Sequence, residues 1–174
     1  MHFIIKLFPE ITIKSPPVRK RFTKQLRDNL KKLLVPLSSD IRVTSSWDKL
    51  EVNGPDNKEL ADQVSDVLAR TPGIANYSRV QNFPLGDFDD ILEKTKAVWA
   101  ASLAGKTFVL RVKRAGKHDF NSTQVERQVG GGLLHQTEAT GVDLHNPDIT
   151  VRLEIRDDQL FVIESTRQGL GGFP

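Results

Sequence analysis

The chain has 174 residues, 38% of them hydrophobic, so it can bury a core as one domain or two small ones and is not a disordered polymer. It contains no cysteine, which excludes disulfides, thiolate metal sites, cysteine nucleophiles and persulfide chemistry within these residues. Its longest apolar runs fall far short of the roughly 18 residues of a membrane span, and its first six residues lack a secretory pattern, so no membrane partner and a cytoplasmic location are expected.

The formal net charge of +3 is modest but unevenly spread. Residues 1–82 carry 14 Lys and Arg against 9 Asp and Glu, whereas residues 83–174 carry 11 against 13. Phe3 to Phe8 reads as a strand, and Ser15-Pro16-Pro17 as an N-cap with proline at the first helical positions. In the helix that follows, Val18, Phe22, Leu26, Leu30 and Leu33 form one apolar face, while Lys20, Lys24, Arg27 and Lys31 form a second stripe. Eight cations (Lys14, Arg19, Lys20, Arg21, Lys24, Arg27, Lys31, Lys32) face one anion, Asp28, over this stretch. Such a density attracts a polyanion or simply solvates a helix face.

Ile41–Thr44 and Lys49–Val52 look like a hairpin around residues 45–48. Asp56 with Glu59 has the form of a capping box, and Leu60, Val64, Val67 and Leu68 give a second amphipathic helix, stopped at Thr71-Pro72-Gly73. A strand from Tyr77 to Phe83 completes the order β-α-β-β-α-β, a ferredoxin-like unit. A boundary is expected near residue 82, where a complete unit ends and the charge balance changes sign.

In the second unit Phe88, Ile91, Leu92, Thr95, Val98, Trp99 and Leu103 keep helical spacing up to Gly105, and Thr107–Arg114 is the next strand. A helix interrupted by Gly130, Gly131 and Gly132 should run from about Thr123, capped with Glu126, to Gly141. Ile149, Val151, Leu153 and Ile155 alternate with polar residues as in a half-buried strand, Asp157-Asp158 turns it back, and Leu160–Glu164 is an apolar strand. The expected organisation is therefore 1–82, 83–168 and the beginning of a connection at 169–174. The fold class is α+β, a ferredoxin-like βαββαβ domain followed by an α/β domain.

The richest stretch for chemistry is Arg111 to Phe120, where a strand end loaded with cations leads through a polar turn into a glycine-bearing helix. Cations, free turn N–H groups and a helix start together suit phosphate. Apolar Phe108, Leu110 and Val112 alternate with Arg111 and Lys113, which should share a face away from the core, followed by Arg114, Lys117 and His118 at the strand exit, with Arg127 on the next helix. Glu126 or Asp119 could instead pair with these cations as an ordinary charged strand end. The three glycines cost roughly 1 kcal/mol each relative to Ala, so either a neighbouring element packs tightly there or a sugar-phosphate backbone lies across them. His2, His118, His135 and His145 show no metal-ligand spacing. Trp99 lies on an apolar helical face, and Trp47, in the hairpin turn, is placed either to stack on a base or to pack. Phosphate-loop and nucleophile-elbow patterns are missing, and no catalytic apparatus is recognisable.

Phe3-Ile-Ile-Lys-Leu-Phe-Pro-Glu-Ile-Thr-Ile-Lys14, Thr71-Pro-Gly-Ile74, Gly105-Lys-Thr-Phe108, Arg111-Val-Lys-Arg-Ala-Gly-Lys-His-Asp-Phe120, Val125-Glu-Arg127, Val129-Gly-Gly-Gly-Leu133 and Gly171-Gly-Phe-Pro174 closely resemble the N-terminal part of the bacterial tRNA 4-thiouridine synthetases, or tRNA sulfurtransferases. The resemblance covers essentially the whole chain and implies an N-terminal ferredoxin-like domain followed by a THUMP domain. It further implies that these domains grip the acceptor stem and 3′ CCA end of tRNA and position a uridine for ATP-dependent thiolation. Catalysis would belong to an ATP-pyrophosphatase domain using ATP and Mg, with a rhodanese domain in many members and a cysteine desulfurase as sulfur donor. This chain alone would be neither an enzyme nor a cofactor binder. The family can also serve thiamine biosynthesis, and a homodimer is compatible with it.

Carried over to this sequence, Lys14 and Arg19 match basic positions at the first helix, Arg111, Lys113, Arg114, Lys117 and His118 match the THUMP motif, and Gly130–Gly132 its glycine helix. Ser15-Pro16-Pro17-Val18 departs from the turn found in many relatives. The alternative to RNA binding is a protein-docking module that uses the Leu160–Ile163 strand, with a nonspecific basic surface.

Overall fold

The computed structural model describes residues 1–46 and 49–174, and the stacking expectation for Trp47 lies outside the described residues. The chain forms two units, Met1–Val80 with Ser165–Pro174, and Gln81–Glu164.

The first unit runs β1 (His2–Leu7), α1 (Pro9–Thr12), α2 (Pro16–Leu34), β2 (Arg42–Ser45), β3 (Lys49–Asn53), α3 (Lys58–Ala69) and the start of β4 (Ile74–Pro84). Its strands lie in the order β2-β3-β1-β4, with β1 antiparallel to both β3 and β4, the ferredoxin-like arrangement. Phe3 stands opposite Val52 and Ile5 opposite Leu50. All four are buried with Leu26, Leu30 and Leu34 of α2 and Ala61, Val64 and Leu68 of α3. The buried stripe of α2 thus continues at a spacing of four to Leu34, whereas Leu33, expected on it, is 48% exposed. Four residues turn a helix by slightly more than one revolution, so after Leu30 the inward position falls on Leu34.

Other local expectations shift by one or two residues. Ser15 occupies the N-cap of α2 without a side-chain cap bond. Pro17, the second helical residue, carries no N–H, so one of the two donors that a cap side chain serves does not exist. On α3 the cap is Asn57, whose side chain accepts from Leu60 N at 3.1 Å. Asp56 accepts instead from the Met1 amino group at 2.7 Å, which lowers its pKa. Residues 165–174 complete this unit. Gly169 N donates to Ala75 O (2.9 Å), Gly171 N to Ile74 O (2.7 Å), and Phe173 meets Phe8 and Phe22 at centroid distances of 5.9 and 5.1 Å.

The second unit comprises α4 (Phe88–Leu103), β5 (Thr107–Ala115), α5 (Ser122–Gln136), β6 (Gly141–Val142), β7 (Ile149–Arg156) and the start of β8 (Gln159–Gln168). Its strands follow the order β8-β7-β5-β6, with β5 parallel to β6 and β7 and β7 antiparallel to β8, so the chain is α+β as expected. Phe108, Leu110, Val151, Leu153, Leu160 and Val162 pack against Ile91, Leu92, Val125, Val129 and Leu133 of the two helices. Trp99 packs against this core and donates Nε1–H to Ile163 O at 3.1 Å.

Helix α5 begins at a capping box of Asn121 and Gln124, two residues earlier than expected, and ends at Gln136. Glu126 is taken by the neighbouring strand, accepting from Val112 N at 3.3 Å. Gly141 lies in β6. Leu160, Phe161 and Val162 are buried, so of the Leu160–Ile163 strand named for protein docking only Ile163 is partly exposed.

Candidate nucleic-acid interface

In the first unit, α2 turns Leu26, Leu30 and Leu34 inward, which leaves Lys20, Lys24 and Lys31 on exposed positions. Among the described residues, Lys20 and Lys24 form no ion pair. Arg27 is partly occupied, with Nε 3.8 Å from Asp28 and Nη1 donating to Ser45 Oγ at 3.4 Å. Lys14 Nζ lies 5.7 Å above the Phe173 ring and the Arg21 guanidinium 5.9 Å from Phe22. Aromatic stems thus hold two of these cations in place while their charge stays exposed. Arg19 has its backbone oxygen bound by Thr23 Oγ1 at 2.8 Å.

In the second unit, burial of Phe108 and Leu110 sends Arg111 and Lys113 to the exposed side of β5, as alternation requires. Arg111 Nη2 donates to Leu144 O at 3.3 Å, a bond that fixes the side chain and leaves its charge uncompensated. The parallel register places Arg152 of β7 directly beside Arg111, and Arg152 is also exposed. Sequence reasoning missed Arg152 as a site residue. Its alternation was legible, but its neighbour depends on strand pairing. Two arginines side by side repel one another unless an anion lies between them.

Lys113 near the end of β5 and Lys117 in the turn after it are exposed and form no ion pair among the described residues, although the register sets Lys113 opposite Glu154 of β7. Arg114 points the other way: it is half-buried, donates to Gly116 O at 3.0 Å and lies 2.8 Å from His118 Nδ1. Neither Glu126 nor Asp119 pairs with these cations among the described residues. Arg127 is exposed on the first half of α5.

The glycine triplet divides its work. A Cβ on Gly132 would overlap the Leu92 side chain of α4, and one on Gly130 would lie 3.8 Å from Leu110 Cβ, an ordinary contact. Gly131 has nothing within 4 Å. Tight helix packing therefore accounts for Gly132 and leaves Gly131 open to a visitor from outside.

The start of β5 is fixed by Asp148, whose Oδ2 accepts from Thr107 N at 2.9 Å while its own N donates to Thr107 Oγ1 at 3.0 Å. The Thr107 backbone bond holds the Asp148 carboxyl below its ordinary 3.8. Asp143 is lowered in the same way by the Asn146 and His145 N–H groups. Among the described residues no group of three or more His, Cys, Asp or Glu could hold a metal ion, and no helix is long and apolar enough to cross a membrane.

Residues 2–78 match the ThiI ferredoxin-like domain and residues 86–163 the THUMP domain. The chain is 50% identical to a tRNA sulfurtransferase of Saccharophagus degradans and 52% identical to one of Shewanella piezotolerans, in each case over 100% of this chain and 36% of the relative. It thus spans about a third of the length of these curated relatives. Among solved structures, PH1313 from Pyrococcus horikoshii Ot3 superposes with a TM-score of 0.77 at 23% identity, covering 100% of this chain and 57% of that one. A 4-thiouridine synthetase–RNA complex with bound ATP gives 0.75 at 23% identity, covering 99% and 43%. At that identity the two structures speak for the fold. The chain thus contains a ThiI ferredoxin-like domain at residues 2–78 and a THUMP domain at residues 86–163, and along its whole length it is similar to a part of the tRNA sulfurtransferases.

Proposed function

We propose that this chain binds tRNA, and that it is the substrate-gripping part of a tRNA 4-thiouridine synthetase. The observation that carries the reading is the exposed face of β5 and β7 and the turn after β5, where Arg111 and Arg152 lie side by side and the exposed Lys113 and Lys117 form no ion pair among the described residues. This is a surface that is satisfied by phosphates. The exposed Lys20 and Lys24 of α2, with Lys14, Arg19, Arg21 and Arg27 around them, give the first unit its own phosphate-binding face. Gly131 offers a place where a sugar-phosphate chain can approach helix backbone without a side chain in the way.

The side chains of an RNA-binding protein cannot read bases in the narrow major groove of an A-form stem. Affinity then comes from phosphates, and selectivity from shape and from an unpaired end. The reading places the acceptor stem and 3′ CCA terminus on these surfaces, so that a uridine is presented for thiolation. The sulfur transfer, with ATP, Mg and a cysteine desulfurase donor, belongs to other parts of the longer protein, whose relatives are named for it. The test is binding of the chain to tRNA with an intact CCA end, to the same tRNA trimmed of CCA, and to duplex RNA, each at low and high salt. Preference for the intact end is expected. Equal, salt-sensitive binding to all three would reduce the site to a general basic surface, and no binding at low salt would remove RNA as the partner.

A further inference from the structure

His118 was expected among the residues that touch RNA, yet both of its ring nitrogens are turned into the protein. Nδ1 lies 2.8 Å from Arg114 Nη1, and Nε2 lies 2.7 Å from the backbone oxygen of Asp157. A guanidinium can only donate and a carbonyl can only accept, so Nε2 carries the hydrogen and Nδ1 offers its lone pair. Only one form of the ring satisfies both neighbours, the neutral Nε2–H tautomer.

What this ring joins is the exit of β5 and the β7–β8 turn. Asp157 is the single non-glycine residue with positive φ (51°) among those described, and its N–H donates to Ala115 O at 3.0 Å. Gly116, at φ 105°, passes so close to Asp157 that a Cβ there would overlap the Asp157 carboxylate. Phe120 covers the imidazole at a centroid distance of 5.0 Å and is itself braced by Phe88 at 5.4 Å. Arg114 also closes the loop on itself through Gly116 O. The segment between Arg114 and His118 contains a glycine with wide conformational freedom, and the cations Lys113 and Lys117 stand at its two ends.

We infer that His118 is a positioning residue: as the neutral Nε2–H tautomer it clasps the 114–118 turn to Asp157, and so holds Lys113 and Lys117 where RNA phosphates meet them, without touching RNA itself. The functional half rests on the RNA-binding reading above. A residue of this kind has a signature different from a phosphate contact. Removing a phosphate contact lowers the slope of log Kd against log salt by about 0.7–0.9. Removing a clasp leaves the contacts to be made at the cost of ordering the turn, so affinity falls by about five- to tenfold while the slope is kept.

The experiment has two arms on the 174-residue chain. The ring ¹⁵N shifts of His118 in the free protein at neutral pH should show Nε2 protonated and Nδ1 bare; an Nδ1–H ring, or a ring protonated at both nitrogens, overturns the clasp. Binding to intact tRNA is then compared for wild type, His118→Phe and His118→Asn across a salt series. Expected are a five- to tenfold loss with unchanged slope for the Phe variant, and partial recovery for the Asn variant, whose amide oxygen can still accept from Arg114. Unchanged affinity in the Phe variant, or a slope reduced by about 0.7–0.9, would overturn the positioning role. If the Phe variant does not fold, the Asn variant and the tautomer decide. Failure of the wild type itself to bind tRNA would sink the RNA reading and its functional half, while the tautomer would still decide the clasp.

Discussion

Lys113→Gln together with Lys117→Gln removes two positive charges from exposed positions of the THUMP unit while retaining long polar stems. Neither ammonium forms an ion pair among the described residues, and only Lys113 faces a carboxylate, Glu154 opposite it in the register, so stability should stay within about 1 kcal/mol of wild type. Each phosphate neutralised releases about 0.7–0.9 of a counterion, so the double variant should lower the salt slope by about 1.4–1.8. Extrapolated from a 1 M reference to 0.1 M salt, that is a loss of roughly 25- to 60-fold in tRNA affinity, or about 2 kcal/mol. Arg114 is left in place because its guanidinium builds the turn, and changing it would confuse a lost contact with a lost shape. Fluorescence anisotropy with labelled tRNA between about 50 and 200 mM salt covers the range where such slopes are steep. A double variant with wild-type melting, affinity and slope would refute the assignment of this surface to phosphate.

Three further outcomes follow from particular side chains. Gly132→Ala should destabilise the chain by about 1–3 kcal/mol through overlap with Leu92, whereas Gly131→Ala should stabilise it by up to about 1 kcal/mol and, if RNA backbone crosses there, weaken tRNA binding; thermal melts and anisotropy together read the opposed signs. Leu34→Ala should cost about 2–5 kcal/mol in denaturant unfolding and Leu33→Ala under about 1, because the first is fully buried and the second half exposed. Asp148→Asn keeps an acceptor for Thr107 N but removes the charge. Since the folded carboxyl lies below its ordinary 3.8, its stabilising contribution is present above that value and lost as pH falls through the lowered one, so the gap between wild type and variant should close in acid.

Most elements were legible because their core faces repeat every two or every three to four residues, as in Ile149 to Ile155 or Leu60 to Leu68. The errors arose where local signals were degenerate and a distant partner decided. Asp56 and Asn57 are both good caps, and only the amino group of Met1, brought alongside by folding, takes the first out of contention. Asn121-x-x-Gln124 and Thr123-x-x-Glu126 both spell a capping box, and Val112 N claims Glu126 from the neighbouring strand. The four-residue α1 is too short to have a period of its own. At the candidate interface, alternation gave the outward direction of Arg111 and Lys113. The pairing that puts Arg152 beside Arg111, and the turn that folds Arg114 and His118 onto each other, depend on strand register and a backbone path that one sequence does not display.

The return of Ser165–Pro174 to the first unit bears on the order in which the protein takes shape during synthesis. The second unit is one uninterrupted stretch of chain, so it can close as soon as its last strand has left the ribosome. The first unit begins to emerge earlier and yet waits for Gly169, Gly171 and Phe173, which bond to Ala75 and Ile74 and cover Phe8 and Phe22. All of the second unit is translated in between, a matter of seconds at about 5–20 residues per second. The part that is made first is finished last, and throughout that interval the rings of Phe8 and Phe22 lack their final cover.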